Sequence, residues 1–79
     1  MTWLKSDQMD QVHRIRQDYA AALQQFEDNP SPANQGQLGE VLDRRARAMK
    51  MLSRETEVTP RQLAAMFRCS KQAVRQALA

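Results

Sequence analysis

The segment Asn29-Pro30-Ser31-Pro32 divides this chain and most constrains its fold. Pro30 prevents a helix from continuing, because proline lacks a backbone N–H and its ring clashes with the preceding turn. Ser31 is a favourable helix N-cap, and Pro32 then occupies the first helical position. We therefore predict one helix before this segment and a second helix directly after it.

Apolar residues recur at intervals of three and four on both sides of this break, which is typical of amphipathic helices. The pattern predicts a helix from Ser6 to about Phe26 and a second one from Pro32 to about Glu55. If the second folds back on the first, facing positions have a constant index sum. A sum of 61 pairs Leu23 with Leu38, Tyr19 with Leu42, Val12 with Met49 and Met9 with Leu52. The sequence thus predicts an antiparallel helical hairpin.

The same arithmetic places Arg16 opposite Arg45 in this apolar seam, where two unpaired guanidinium groups cannot both be buried. Two resolutions are open. Either the aliphatic stems cover the seam while the charged ends reach solvent or carboxylates such as Asp18 or Asp43, or an acidic group of a partner enters between the two arginines.

The composition favours a small domain that is completed by self-association. The chain has 79 residues, and Leu, Ile, Val and Phe together number only 14, which is few for a packed monomer.

Its single cysteine, Cys69, allows no intrachain disulfide and indicates a reducing compartment. The longest apolar run, residues 19–23, is too short for a membrane helix or a signal peptide. We expect Trp3 and Leu4 to cover the end of the hairpin or a subunit interface.

Charge differs between the two halves. Residues 1–40 carry 3 basic and 6 acidic side chains, whereas residues 41–79 carry 9 basic and 3 acidic ones. A basic half indicates a polyanionic partner, and the acidic half is then available for another role, such as pairing with itself.

The last twenty residues contain two further helix starts. Thr59 followed by Pro60, with Gln62 three positions after the cap, is typical of a capping box. The segment Arg68-Cys69-Ser70 ends this third helix, and Ser70 is positioned to cap a fourth. We predict short helices over 60–67 and 70–78.

The segment Gln62-Leu63-Ala64-x-x-Phe67-Arg68-Cys69-Ser70-x-x-x-Val74-x-x-x-Leu78 resembles the helix-turn-helix motif of bacterial and phage DNA-binding regulators. In that family a small residue, here Ala64, lets the two helices cross closely, and apolar residues hold their angle. The family usually has Gly where this chain has Arg68, so we expect a strained turn or one of slightly different shape. The resemblance covers residues 59–79 only.

The resemblance implies that the fourth helix reads base edges in the major groove. Its candidate readers are Lys71, Gln72, Arg75 and Gln76, although the same residues also fit an ordinary solvated face. Candidate phosphate-binding residues lie at helix starts and in the turn: Thr59, Arg61, Gln62, Arg68 and Ser70. A supporting basic cluster lies on the second helix, and some of its members are expected to face away from DNA. It consists of Arg44, Arg47, Lys50 and Arg54.

Other chemistry has little support in the sequence. One His and one Cys cannot form a structural zinc site, so no metal is predicted, and Asp10 with His13 is interpreted as a surface helix pair. No constellation for acid–base or nucleophilic catalysis is present, so neither an enzyme nor a cofactor is predicted. Cys69 beside Arg68 fits either a redox-sensing thiol or the small apolar residue that the turn requires.

We therefore predict an all-α protein with a helical hairpin in residues 1–55 and a helix-turn-helix in residues 56–79, packed on the second helix to form a three-helix DNA-binding unit. The predicted function is sequence-specific binding of double-stranded DNA by a homodimer joined through the hairpin. Its small size suits a cytoplasmic, nucleoid-associated repressor of a phage, plasmid or bacterium, and no membrane or small-molecule ligand is expected. The alternatives are a hairpin adaptor or inhibitor that binds another protein, and an RNA-binding hairpin.

Overall fold

The computed structural model describes residues 4–79. In that range the chain forms four α-helices and no strand: α1 (Ser6–Asp28), α2 (Pro32–Glu55), α3 (Pro60–Phe67) and α4 (Lys71–Leu78). The predicted all-α class is confirmed, and the predicted helix bounds agree to within two residues. Trp3 lies outside the described residues.

Polar caps explain where α2, α3 and α4 begin. The hydroxyl oxygens of Ser31, Thr59 and Ser70 each accept a hydrogen bond from the backbone N–H three residues further on, at 3.2, 3.2 and 3.1 Å. The Gln62 side chain in turn accepts from the Thr59 N–H at 2.8 Å, which completes the capping box. These bonds satisfy N–H groups that have no partner inside the helix. The three predicted caps are confirmed.

The long helices α1 and α2 lie side by side and run in opposite directions. Near the loop, the Asn34 side chain donates to the backbone oxygens of Gln25 and Asn29, at 3.3 and 2.8 Å. Further along, Arg44 pairs with Asp18 at 3.1 Å. Contacts therefore join residues late in α1 to residues early in α2, and earlier α1 residues to later α2 residues.

The seam with an index sum of 61 is buried in part. Val12, Met49 and Leu52 lie in the core, whereas Met9, expected opposite Leu52, is 38% exposed. Ile15 and Ala22 of α1 and Ala48 of α2 are buried as well. Small side chains such as Ala22 and Ala48 let two helices approach closely. The longer side chains of the expected seam, Tyr19, Leu23, Leu38 and Leu42, are then only half-buried.

Among residues 4–79, neither Arg16 nor Arg45 forms an ion pair with Asp18 or Asp43. Asp18 pairs instead with Arg44, on the neighbouring face of α2. The guanidinium of Arg45 instead lies 5.2 Å from the centre of the Tyr19 ring, a distance at which a cation and an aromatic face attract. Arg45 and Arg16 are both half-buried, as expected for stems that cover apolar surface.

One hydrophobic cluster joins all four helices. It contains Val12, Ile15, Ala48, Met49, Leu52, Leu63, Ala64, Phe67 and Val74, and Leu4 packs against it at the beginning of the chain. Residues 4–55 and 56–79 therefore share a single core. α3 and α4 cover only the part of the long-helix pair that is remote from its loop, so the molecule is elongated, at 42 × 25 × 16 Å.

The turn between α3 and α4 is left-handed at Arg68, with φ 53° and ψ 50°. The Cys69 N–H donates to the Ala64 oxygen at 3.0 Å, and the Arg68 N–H to the Ala65 oxygen at 3.4 Å, the pattern of a Schellman motif. Arg68 is the one non-glycine residue with a positive φ among residues 4–79. A side chain with a Cβ is strained in this conformation by about 1–2 kcal/mol.

We expect Arg68→Gly to raise the free energy of unfolding by about 0.5–1 kcal/mol, because relief of the left-handed strain exceeds the entropy that glycine adds to the unfolded chain. Arg68→Ala is the matched control, since alanine keeps the Cβ, and it should change stability by less than about 0.5 kcal/mol. Urea unfolding followed by circular dichroism measures both. Destabilisation by glycine, or equal stabilisation by alanine, contradicts the account.

Candidate nucleic-acid interface

α4 has two chemically distinct faces. Val74 is fully buried, and Ala73, Ala77 and Leu78 are half-buried against the rest of the molecule. The opposite face is exposed and carries the four candidate readers: Lys71, Gln72, Arg75 and Gln76. Their long polar side chains offer both donors and acceptors along two turns of helix. The chain therefore presents a continuous hydrogen-bonding surface on α4.

α3 holds α4 at close range. Ala64 is 8% exposed, and Leu63 and Phe67 beside it are buried. Cys69, in the turn, is half-buried and packs against the same core. Each of these residues contributes to the core. The small Ala64 leaves room for the backbone of the turn, whose Cys69 N–H bonds to its carbonyl oxygen.

The candidate phosphate-binding residues are all exposed at the start of α3 or beside the turn: Thr59, Arg61, Gln62, Arg68 and Ser70. The oxygens of Thr59, Gln62 and Ser70 accept the capping hydrogen bonds. The hydroxyl protons and the Gln62 amide protons are still available as donors, which is what a phosphate oxygen requires. Capping and anion binding are thus compatible at these three residues.

The supporting basic cluster of α2 lies along adjoining grooves that share Arg47. Arg44 is bound to Asp18, and with Arg47 it lines a groove against α1 that also contains Asp7 and Asp10. Lys50 and Arg54 line a groove with Arg47 and Glu55 and a further groove with Leu78 and Ala79, beside the end of α4. Lys50 and Arg54 therefore extend the basic surface of α4.

A second basic contribution comes from α1 and was not predicted from the sequence. His13, Arg16 and Gln17 line one groove together with Phe67 and Arg68 at the end of α3. The sequence pattern does not predict that these residues share a groove, because the groove depends on a contact between segments about fifty residues apart. Residues 58–79 contain four basic side chains and no acidic one. α3 and α4 themselves therefore carry positive charge and no acidic side chain.

Comparisons of this chain with protein-family models, with curated proteins and with solved structures find no match. Among residues 4–79, none of the four helices has the length and apolar character needed to cross a membrane.

We expect Ala64→Leu to destabilise the protein by about 1–3 kcal/mol, because three added carbon atoms overpack the crossing of α3 and α4. The neighbouring Ala65 is exposed, so Ala65→Leu makes the same chemical change without entering the core. It should alter stability by less than about 0.5 kcal/mol. Thermal unfolding of both variants tests this, and similar melting temperatures for the two would contradict the packing role of Ala64.

Proposed function

We propose that this protein binds double-stranded DNA sequence-specifically, with α4 in the major groove. The observation that carries the proposal is the arrangement of α4. Its apolar side is anchored by the buried Val74, its polar side is free, and a tight left-handed turn connects it to α3. A helix held in this way exposes its whole polar face to solvent, as insertion into a groove about 12 Å wide requires.

The exposed side chains of α4 match the chemistry of base edges. Arg75 has a planar guanidinium that binds guanine through two acceptors, and the amides of Gln72 and Gln76 each match adenine in the same two-point manner. Lys71 adds a cation in the first turn of the helix. Arginine and glutamine thus give α4 the means to discriminate G·C from A·T pairs.

Phosphate contacts orient the reading helix in this proposal. Arg61 at the start of α3 and Arg68 in the turn are exposed, and Lys50 and Arg54 lie beside the other end of α4. Basic groups therefore flank α4 at both ends. Such contacts give affinity and register, whereas base contacts give specificity.

The biological role that follows is that of a small transcriptional regulator acting as a dimer. One reading helix covers few base pairs, so two copies on half-sites about 34 Å apart are needed for useful specificity. Repression by occlusion of a promoter requires only such binding.

We expect Arg75→Ala to weaken binding to a selected DNA site by about 1–3 kcal/mol and to relax the preference at one base pair. Gln72→Ala should do the same at a different position. Arg14→Ala is the control, because it removes one positive charge from the groove that contains Asp7 and Asp10, away from α4. Selection from a random duplex pool, followed by fluorescence anisotropy at near-physiological salt, measures these effects.

Equal effects of Arg75→Ala and Arg14→Ala on site preference would refute reading by α4. Binding that is uniform across sequences and vanishes with salt would reduce the basic region to nonspecific electrostatics. A preference for structured RNA over duplex DNA at equal salt would assign the surface to RNA instead.

Arg68→Ala should act differently from the base-reading variants. Loss of one phosphate contact weakens binding to all duplexes by a similar factor and reduces the slope of log affinity against log salt by about 1. A salt titration from low to near-physiological ionic strength gives this slope. A change in sequence preference with an unaltered slope would show that Arg68 does not bind phosphate.

A further inference from the structure

Four residues form a stripe on α1 that the DNA-binding surface does not explain. Arg16, Ala20, Leu23 and Glu27 follow one another at intervals of four, three and four. At 3.6 residues per turn they fall within an arc of about 60° of the helix. The stripe therefore has a basic end, an apolar middle and an acidic end.

The stripe borders an open groove. Arg16, Ala20 and Leu23 form part of one wall, and Phe67 with Arg68 forms the other, around a volume of about 420 Å³. Its charged lining residues in the described chain are basic, with His13 beside the two arginines. The groove on the other side of α1 and α2 differs, because Asp7 and Asp10 there accompany its arginines.

The acidic complement to this groove lies at the loop end of the same molecule. Residues 17–43 contain five acidic side chains and no basic one. Among residues 4–79 the ion pair is Asp18 with Arg44, so Glu27 has no cationic partner there. The loop end thus carries unpaired negative charge, and the groove carries unpaired positive charge.

We propose that the groove is filled by α1 of a second copy of this chain, running antiparallel, with residue i facing residue 43 − i. This register places Arg16 of each copy against the second copy's Glu27, and Ala20 against the second copy's Leu23. The contact is isologous, because each pairing occurs twice about the twofold axis. Both charged ends are matched, because Glu27 of the second copy faces Arg16 at each end of the stripe.

The middle of the stripe suits close helix contact. Ala20 is exposed and Leu23 half-buried, so each Leu23 has a partly free apolar side chain and each Ala20 leaves space for one. Burial of the two leucines gives affinity, and the charge pairs select this register over others.

The inference rests on the proposed dimeric reading of DNA and agrees with its geometry. Val74 shares the core cluster with Val12 and Met49, and the end of α4 lies beside Lys50 and Arg54, so α4 lies toward the end of α1 that is remote from the loop. With a rise of 1.5 Å per residue, a twofold axis midway between Arg16 and Glu27 sets the core ends of the two α1 helices, at Val12, about 30 Å apart along α1. Successive major grooves on one face of DNA are about 34 Å apart.

Sedimentation equilibrium of the full chain without DNA tests the register through charge reversal. We expect Arg16→Glu and Glu27→Arg each to raise the dimer Kd at least about tenfold, because each places like charges at both ends of the stripe. The double variant Arg16→Glu with Glu27→Arg restores both pairs and should return the Kd to within about threefold of the original. An equimolar mixture of the two single variants should form heterodimers, since all four end charges are then matched.

A second pair of variants tests the apolar middle without touching a charged residue. Ala20→Glu inserts a carboxylate between the helices and should abolish the dimer. Ala21→Glu makes the same change at the next residue, which is exposed on another face of α1, and should leave the Kd unchanged. Circular dichroism of each variant establishes that the helices are retained.

A chain that sediments as a monomer up to about 200 μM overturns the proposal, since a contact weaker than that is not a specific dimer. A dimer that is insensitive to Ala20→Glu, or a double charge reversal that fails to restore association, also overturns it. Failure of DNA binding is distinguishable, because a chain that dimerises in this register and binds no DNA site overturns the DNA proposal alone.

Discussion

The packing of Met49, Leu63 and Val74 is the interaction on which the rest of the structure depends. These residues come from α2, α3 and α4, and each is fully buried. α3 and α4 have eight residues each, whereas isolated helices shorter than about 12–15 residues are barely stable in water. They are therefore helical because they pack into the shared core, α4 against α2 and α3, and α3 against α4 and α1. Burial of Val74 in this core also determines which face of α4 is exposed. The same packing therefore stabilises the helix and orients its polar face.

Acidic and basic residues are concentrated at opposite ends of the molecule, and the packing of the helices keeps these ends apart. The acidic residues of 17–43 lie toward the loop end of the long helices, and the basic residues of 58–79 lie on the part that covers the core. If the basic end meets a polyanion, the acidic loop end of the same copy is held away from it by the length of the helix pair. The repulsion between carboxylates and a polyanion then falls with distance and with screening by salt. α1 and α2 thus act as a spacer as well as a scaffold.

Local chemistry made the helices predictable, and long-range packing made the details of their contact unpredictable. Pro32, Thr59 and Ser70 mark helix starts through bonds to residues three positions away, and the left-handed Arg68 follows from the short break before Ser70. The seam between α1 and α2 was predicted only in part, because periodicity alone does not show how deeply each of its residues is buried. The groove between Arg16 and Phe67 required knowledge of how α3 lies on α1. The candidate readers of α4 were identifiable, since one buried residue, Val74, determines which face is exposed.

Under the two proposals, α1 connects dimerisation to DNA reading without any moving part. Val12 and Ile15 anchor one side of α1 in the core, and the stripe from Arg16 to Glu27 meets the second copy. A slip of the dimer by seven residues would keep the helices in contact but would shift one α4 relative to the other by about 10 Å, close to a third of the 34 Å groove repeat. A slip in one direction would also face Arg16 with the uncharged Ala20 of the second copy, and a slip in the other would carry Arg16 past the end of the second copy's α1 at Asp28. The charged ends of the stripe therefore specify the spacing of the reading helices, and the apolar middle supplies the affinity that holds it.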